Sequence, residues 1–223
     1  QTDDFGNSFQ FQISGGGIAT IILEGNGRLS VDTTNPTART KLTIKPLAGD
    51  GTLDSINVLG GGLAAIVGKG VHIAGNVVVE GLAPTVTLGN IADQHQLTFG
   101  GDATDKGIKL TFGNLTDVTL TSTAPIASLT TNQWLDTDPD LNLDLVTTPW
   151  IGKLTTKVGD FAAGLQLGGT AAPKGVTLNK ASIKGALGSD DPANAAVWDI
   201  TGNVGTIDAS KGTINGWALD VHS

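Results

Sequence analysis

The stretch Val86-Thr87-Leu88-Gly89-Asn90-Ile91 returns later in the chain as Leu110-Thr111-Phe112-Gly113-Asn114-Leu115. Both copies begin with alternating apolar and polar residues, the pattern of a β-strand with one face buried. Both then end in Gly-Asn, two residues that accept the backbone angles of a tight corner. A strand-and-corner unit that recurs at a spacing of roughly 20–25 residues is typical of stacked repeats, each of which buries its apolar side against the next.

Similar strand-like runs recur along the whole chain, and helical spacing of apolar residues is nearly absent. The one helical candidate, Trp134 to Leu145, is interrupted by Pro139. We therefore predict an all-β fold, a right-handed parallel β-solenoid that forms a single domain over residues 1–223. An acidic loop is expected to interrupt it near residues 133–147. At the repeat length of the two copies, the chain would make on the order of ten turns.

A β-sandwich is the alternative fold that the sequence leaves open. Antiparallel sandwiches also contain many short strands with glycine turns, and their hairpins favour Asn-Gly and Asp-Gly. The chain carries one of each, at Asn26-Gly27 and Asp50-Gly51. The repeated corner is Gly-Asn, the reverse order, which favours the solenoid.

Composition narrows the class of protein further. The chain has a net charge of −8 and only two arginines, so binding to nucleic acid is disfavoured. It contains no methionine, which predicts a processed or excised part of a longer precursor. The absence of cysteine fits either a cytosolic protein or a bacterial extracellular protein without disulfides, and the other features favour a location outside the cell or at its surface. Its apolar runs are too short for a transmembrane helix.

The strongest candidate for a ligand site is an acidic stretch with oxygen-bearing side chains at alternate positions. A hard cation such as Ca²⁺ prefers six to eight oxygen ligands, so calcium is the one candidate cofactor. The stretch lacks the glycine and the glutamate of the helix-loop-helix calcium loop, and a solvated acidic loop is the alternative. The predicted metal ligands are Asp136, Asp138, Asp140, Asn142 and Asp144.

No motif in the sequence predicts catalysis. Asp190-Asp191 invites comparison with paired catalytic carboxylates, but the adjacent Pro192 favours a simple turn. The three histidines lack metal-ligand spacing, and no nucleophile elbow is present. We therefore predict that the chain is not an enzyme.

Three stretches resemble a known family: Trp150–Lys157, Gly159–Leu165 and Trp198–Ile207 look like the rungs of large, repetitive bacterial cell-surface β-helix proteins, which are passenger-like or surface-layer-associated. The resemblance covers most of the chain and carries no catalytic motif. It implies a surface location and a structural or adhesive role. The strand-like C-terminal run Ala218–Ser223 predicts assembly with copies of the same chain, as a filament or layer protomer, or contact with other surface proteins. The alternative function is a polysaccharide-binding module of pectate-lyase-like architecture that uses tryptophan and aspartate side chains. The favoured interpretation of the four tryptophans is burial inside the coil.

Overall fold

The computed structural model describes residues 1–137, 144–189 and 195–222, and these residues form strands almost throughout. The first twelve strands are β1 (Phe9–Ser14), β2 (Ile18–Leu23), β3 (Leu29–Thr34), β4 (Lys41–Pro46), β5 (Gly51–Leu53), β6 (Ile56–Leu59), β7 (Ala65–Val67), β8 (Val71–Ile73), β9 (Val77–Val79), β10 (Thr85–Thr87), β11 (His95–Phe99) and β12 (Ile108–Thr111). The other eleven are β13 (Asn114–Thr116), β14 (Val118–Ser122), β15 (Ile126–Thr131), β16 (Gln133–Leu135), β17 (Leu145–Thr148), β18 (Ile151–Thr156), β19 (Gly164–Leu167), β20 (Val176–Ser182), β21 (Ala196–Thr201), β22 (Asn203–Asp208) and β23 (Trp217–His222). A single 3₁₀ turn at Pro173–Gly175 is the one helical element among the described residues, and no helix there is long and apolar enough to cross a bilayer.

The strands belong to two long sheets and two short ones. A nine-stranded sheet has the order β1-β4-β7-β10-β12-β15-β18-β20-β22, and a ten-stranded sheet has the order β2-β3-β6-β9-β11-β14-β17-β19-β21-β23. The pairs β5-β8 and β13-β16, joined by single bridges, form a third side. From β3 onward all pairs are parallel, so the predicted parallel β-solenoid is confirmed.

The solenoid has about eight turns, fewer than the ten expected from the repeat length. The number of residues in a turn is not constant. Val146 pairs with Leu165, which follows it closely in the sequence, whereas Leu165 pairs with Trp198, which follows after a much longer stretch of sequence. In addition, β1 pairs with β4 and β2 pairs with β3, both in antiparallel orientation. These two strands form a layer at the N-terminal end that runs opposite to the solenoid strands, and we call it the reversed layer.

The hairpin signals of the sequence are correct once and wrong once. Asn26-Gly27 does connect the antiparallel strands β2 and β3, with Gly27 at a φ of +81°. Asp50-Gly51 does not form a hairpin, because Gly51 begins β5, which pairs in parallel with β8. A hairpin turn needs its two strands to be neighbours in one sheet, and here the chain turns a corner onto another side.

Three columns of inward side chains fill the interior, one from each side. In each column, residues of successive turns pair in register and are almost wholly buried, so each turn covers the apolar row of the one before it. The ten-stranded sheet contributes Ile56, Val77, Leu97, Leu120, Val146, Leu165 and Trp198. The nine-stranded sheet contributes Leu42, Ile66, Val86, Leu110, Leu129, Leu154 and Ala181. The third side contributes Leu53, Ile73, Ile91, Leu115, Trp134, Phe161 and Leu187.

The Gly-Asn corner has a structural cause. The side-chain Oδ1 of Asn90 accepts a hydrogen bond of 2.8 Å from the backbone N–H of Asn114, the asparagine of the next copy. A Cβ on Gly113 would collide with that same Oδ1. Because the asparagine of one turn bonds to the next turn, and the glycine there leaves it room, the two residues recur together.

The tryptophans belong mainly to the interior. Trp134 and Trp198 are fully buried and Trp150 is 8% exposed, which confirms the interpretation of tryptophan as core for these three residues. Phe161 lies between Trp134 and Trp198, with ring centroids 5.6 and 5.9 Å apart, and Trp198 meets Trp217 at 5.4 Å. All three contacts are edge-to-face, the favourable geometry for aromatic pairs.

A pair of glycines tests how tightly the turns are stacked. Gly100 follows β11 and Gly168 follows β19, at the same corner of different turns. A Cβ at Gly100 would overlap the carbonyl oxygen of Glu80 one turn earlier, whereas a Cβ at Gly168 would meet nothing. We expect Gly100→Ala to lower the free energy of unfolding by about 1–3 kcal/mol. The matched control Gly168→Ala should change it by less than about 0.5 kcal/mol. Equal denaturant midpoints for the two variants would contradict this packing.

Candidate functional site

Three carboxylates from two neighbouring turns meet at one corner of the solenoid. Asp117 precedes β14, Asp136 follows β16 and Asp144 precedes β17. Each offers an oxygen that lies within 4.8 Å of an oxygen of the other two. Asp117 is buried, and Asp136 and Asp144 are half-buried, so the described part of the chain contains a compact and largely shielded acidic cluster.

The cluster contains two of the five predicted calcium ligands, Asp136 and Asp144. Asp138, Asp140 and Asn142 lie outside the described residues. The sequence pattern did not include Asp117, because this residue lies well before the acidic stretch and belongs to the preceding turn. The signal that could have found it is the repeat: Thr116 pairs with Leu135, so the next positions in the same register are Asp117 and Asp136.

Two of the carboxylates also hold the turns together. The carboxylate of Asp117 accepts hydrogen bonds from the backbone N–H and the hydroxyl of Thr137, at 2.6 and 2.7 Å. The Oδ1 atom of Asp144 accepts a bond of 2.7 Å from the backbone N–H of Val118 and one of 3.3 Å from the indole N–H of Trp134. These bonds position both carboxylates.

The surroundings of Asp144 disfavour its charge. Burial raises the pKa of Asp144 to about 7, and the negative charges of Asp136 and Asp117 add to this effect. The hydrogen bonds from Val118 and Trp134 act in the opposite direction, because they stabilise the ionised carboxylate. Close, partly desolvated carboxylates repel one another unless a proton or a cation compensates them.

The chemistry of this cluster is that of a hard-cation ligand set, and the described residues supply part of one. Three carboxylates provide three of the six to eight oxygens that Ca²⁺ prefers. Calcium binding therefore stays a prediction, now with Asp117 as an added ligand.

The other candidates from the sequence do not form a site among the described residues. His72 lies 3.5 Å from Asp50, and its Nδ1 accepts a hydrogen bond of 2.8 Å from the backbone N–H of Asn90. His222 lies between two aspartates at the C-terminal end. No histidine joins a group of three metal-ligating side chains within the described ranges. The second acidic turn, Asp190-Asp191, lies outside them.

Comparison of the chain with protein-family models, with curated proteins and with solved structures finds no match. The class of the protein thus comes from its own fold, a parallel β-solenoid. The resemblance to bacterial cell-surface β-helix proteins stays a prediction.

Asp144→Asn tests the calcium prediction, because asparagine keeps an oxygen for both hydrogen bonds and loses the negative charge. We expect Ca²⁺ to raise the free energy of unfolding of the wild type by linkage, by about 2.7 kcal/mol at a hundred times the dissociation constant, and its melting temperature to rise accordingly. The same addition should not affect Asp144→Asn. Asp220→Asn, an exposed aspartate on β23, is the matched control and should respond like the wild type. Calcium-independent melting of chelator-treated wild type, with no heat in a calorimetric titration, would refute the prediction.

Proposed function

We propose that the chain is an extracellular or cell-surface structural and adhesive module that associates end to end with copies of itself. The observations that support this most directly are a row of exposed apolar side chains at the C-terminal end of the solenoid and an open cavity lined by buried and half-buried apolar side chains at the N-terminal end. A parallel stack has no natural stop, because each turn covers the previous one and needs a cover of its own.

At the C-terminal end, the interior columns continue onto a surface. Leu219 pairs with buried Trp198, Val221 with buried Ile200, and Ile214 with buried Leu187. Leu219 is 41% exposed, Val221 is 47% exposed and Ile214 is 60% exposed. Among the described residues, β22 and β23 are also the last strands of their sheets, and each has one edge without a partner strand.

At the N-terminal end, the reversed layer is also uncovered. Strands β1 and β2 are the first strands of the two long sheets, and each has one free edge. Between them lies an open cavity of about 710 Å³. Its apolar lining includes Phe9, Phe11, Ile13, Ala19 and Ile21.

The two ends are suited to pair with each other. Each has two free strand edges, one per long sheet, with apolar side chains between them. Strands β1 and β2 run opposite to the solenoid strands, so β22 and β23 of a second copy would add to them in antiparallel pairing, which is a stable arrangement. Such addition would satisfy edge hydrogen bonds and bury both apolar rows.

The wider role follows from the shape of a solenoid. A rod of stacked turns presents long, flat sides at fixed spacing, which suits a scaffold or an adhesive surface. We keep the prediction that the chain is not an enzyme as part of this proposal.

The alternative function, a sugar-binding module, depends on exposed aromatic platforms. Trp134, Trp150 and Trp198 are buried and Trp217 is half-buried at the C-terminal end, so these side chains offer little platform. A polysaccharide would need a different surface.

Two valines of equal exposure test the end-to-end contact. Val221 belongs to the apolar row of the C-terminal end, whereas Val197 is on the outer face of the ten-stranded sheet, and both are 47% exposed. We expect wild type and Val197→Asp to form rods or fibres in electron micrographs and large species in light scattering. Val221→Asp should remain monomeric, because a carboxylate would be buried in the contact.

Wild type that stays monomeric at high concentration would contradict end-to-end assembly. Equal loss of assembly in both valine variants would contradict the contact through the C-terminal end.

A further inference from the structure

The two long faces of the solenoid have opposite charge. On the strands of the ten-stranded sheet the acids are Asp32, Asp199 and Asp220. On the strands of the nine-stranded sheet, Asp208 on the last strand is the one acid, and the other charged residues are all lysine. These lysines are Lys41, Lys45, Lys109, Lys153 and Lys180, and we call the outer side of this sheet the lysine face. A basic face is unexpected on a chain with a net charge of −8.

Strand register arranges this face into two columns along the solenoid axis. One column carries four of the five lysines, Lys41, Lys109, Lys153 and Lys180, while Lys45 lies outside both columns: Lys41 pairs with Ala65, Thr85 with Lys109, Lys109 with Ser128, and Lys153 with Lys180. The neighbouring column consists mainly of hydroxyl side chains in register. Its members are Thr43, Val67, Thr87, Thr111, Thr130, Thr155 and Ser182.

The lysine column is long and narrow. Six strand steps separate β4, which carries Lys41, from β20, which carries Lys180. At about 4.8 Å a step, the column extends for roughly 29 Å. Such a shape fits an extended chain better than a compact ligand.

The charges on this face are mostly uncompensated within the protein. All five lysines are exposed, and none forms an ion pair with a residue that the structure describes. Asp208 acts on Lys180 only through a longer-range charge interaction. Lys153 and Lys180 are direct register partners on adjacent strands, where like charges repel. A bound anion would remove this repulsion, so the face is better suited to a ligand than to bare solvent.

We propose that the lysine face binds a linear acidic polysaccharide that lies along the solenoid axis. The ammonium groups of the lysine column contact carboxylate or sulfate groups of successive sugars. The threonine and serine hydroxyls of the second column, apart from the buried hydroxyl of Thr155, donate and accept hydrogen bonds with sugar hydroxyls. This binding does not depend on self-association, since it uses a side of the solenoid and not its ends.

Other occupants fit the face less well. Proteins bind nucleic acid by combining lysine or arginine contacts to phosphates with base stacking on aromatic side chains, and the strands of this face present no aromatic side chain and no arginine outward. A second copy of the chain would be expected to bury apolar and aromatic side chains at the centre of its contact. Here the centre holds threonine, serine and lysine.

A triple variant tests the lysine face. Lys109, Lys153 and Lys180 are changed together to threonine, which occurs at the same column position as Thr85 and Thr206. The matched control changes the exposed Lys69, Lys106 and Lys211 to threonine, which removes the same charge outside the lysine face. The probes are polygalacturonate, dextran sulfate, neutral dextran and duplex DNA, titrated at low salt and again at higher salt.

We expect the wild type to bind polygalacturonate or dextran sulfate, more weakly as salt increases, and not to bind neutral dextran. The triple variant should lose about tenfold in affinity, from three surface charge contacts, and the control should bind like the wild type. Melting temperatures close to wild type would show that both variants fold.

Four results would overturn the proposal. The first is that the wild type binds neither acidic glycan, and the second is that the triple variant and the control lose the same affinity for the glycan. The third is that duplex DNA binds as tightly as the glycan and through the same three lysines. The fourth is that the triple variant loses self-association and keeps glycan binding. The last result would assign the face to a second copy of the chain. Electron microscopy of Val221→Asp reports separately on end-to-end assembly, so failure of one proposal does not count against the other.

Discussion

The structure depends on one constraint, the in-register stacking of successive turns about 4.8 Å apart. Backbone hydrogen bonds run from each turn to the next, along the axis of the rod. Each inward side chain is therefore covered by the corresponding side chain one turn later, as Leu120 is by Val146 and Val146 by Leu165. Since no turn can bury its apolar residues alone, stability comes from the whole stack.

The same constraint gives the molecule its ends and its faces. Inside, the columns run on to Leu219 and Val221, which are exposed. Outside, stacking also places like side chains in rows, as it does for Lys153 and Lys180. A solenoid thereby converts residues far apart in sequence into linear surfaces, and these surfaces carry the proposed associations with a second copy and with an acidic glycan.

How much of the molecule could be predicted depends on whether the signal was local. The strand-and-corner repeat was sufficient for the fold, because Val86 and Leu110 pair as their matching segments predict. The predicted acidic ligand set was found in part. Asp136 and Asp144 lie together, but the third carboxylate is that of Asp117, which no local sequence pattern connects to them. The lysine face had no local signal at all, since its members are scattered from Lys41 to Lys180 in an acidic chain.

The sequence by itself determined which residues form strands, which side chains of each strand point inward and where Gly-Asn corners end a strand, because these follow from alternation and backbone preference over a few residues. Only the tertiary structure decided which turn positions lie above one another. Turns differ in length, as the steps from Val146 to Leu165 and from Leu165 to Trp198 show, and the added residues do not alter the strand pattern. The free energy that selects the register comes from cumulative packing over the whole stack. The residues that lie next to Asp117 and Lys180 are therefore determined only by the fold of the full chain.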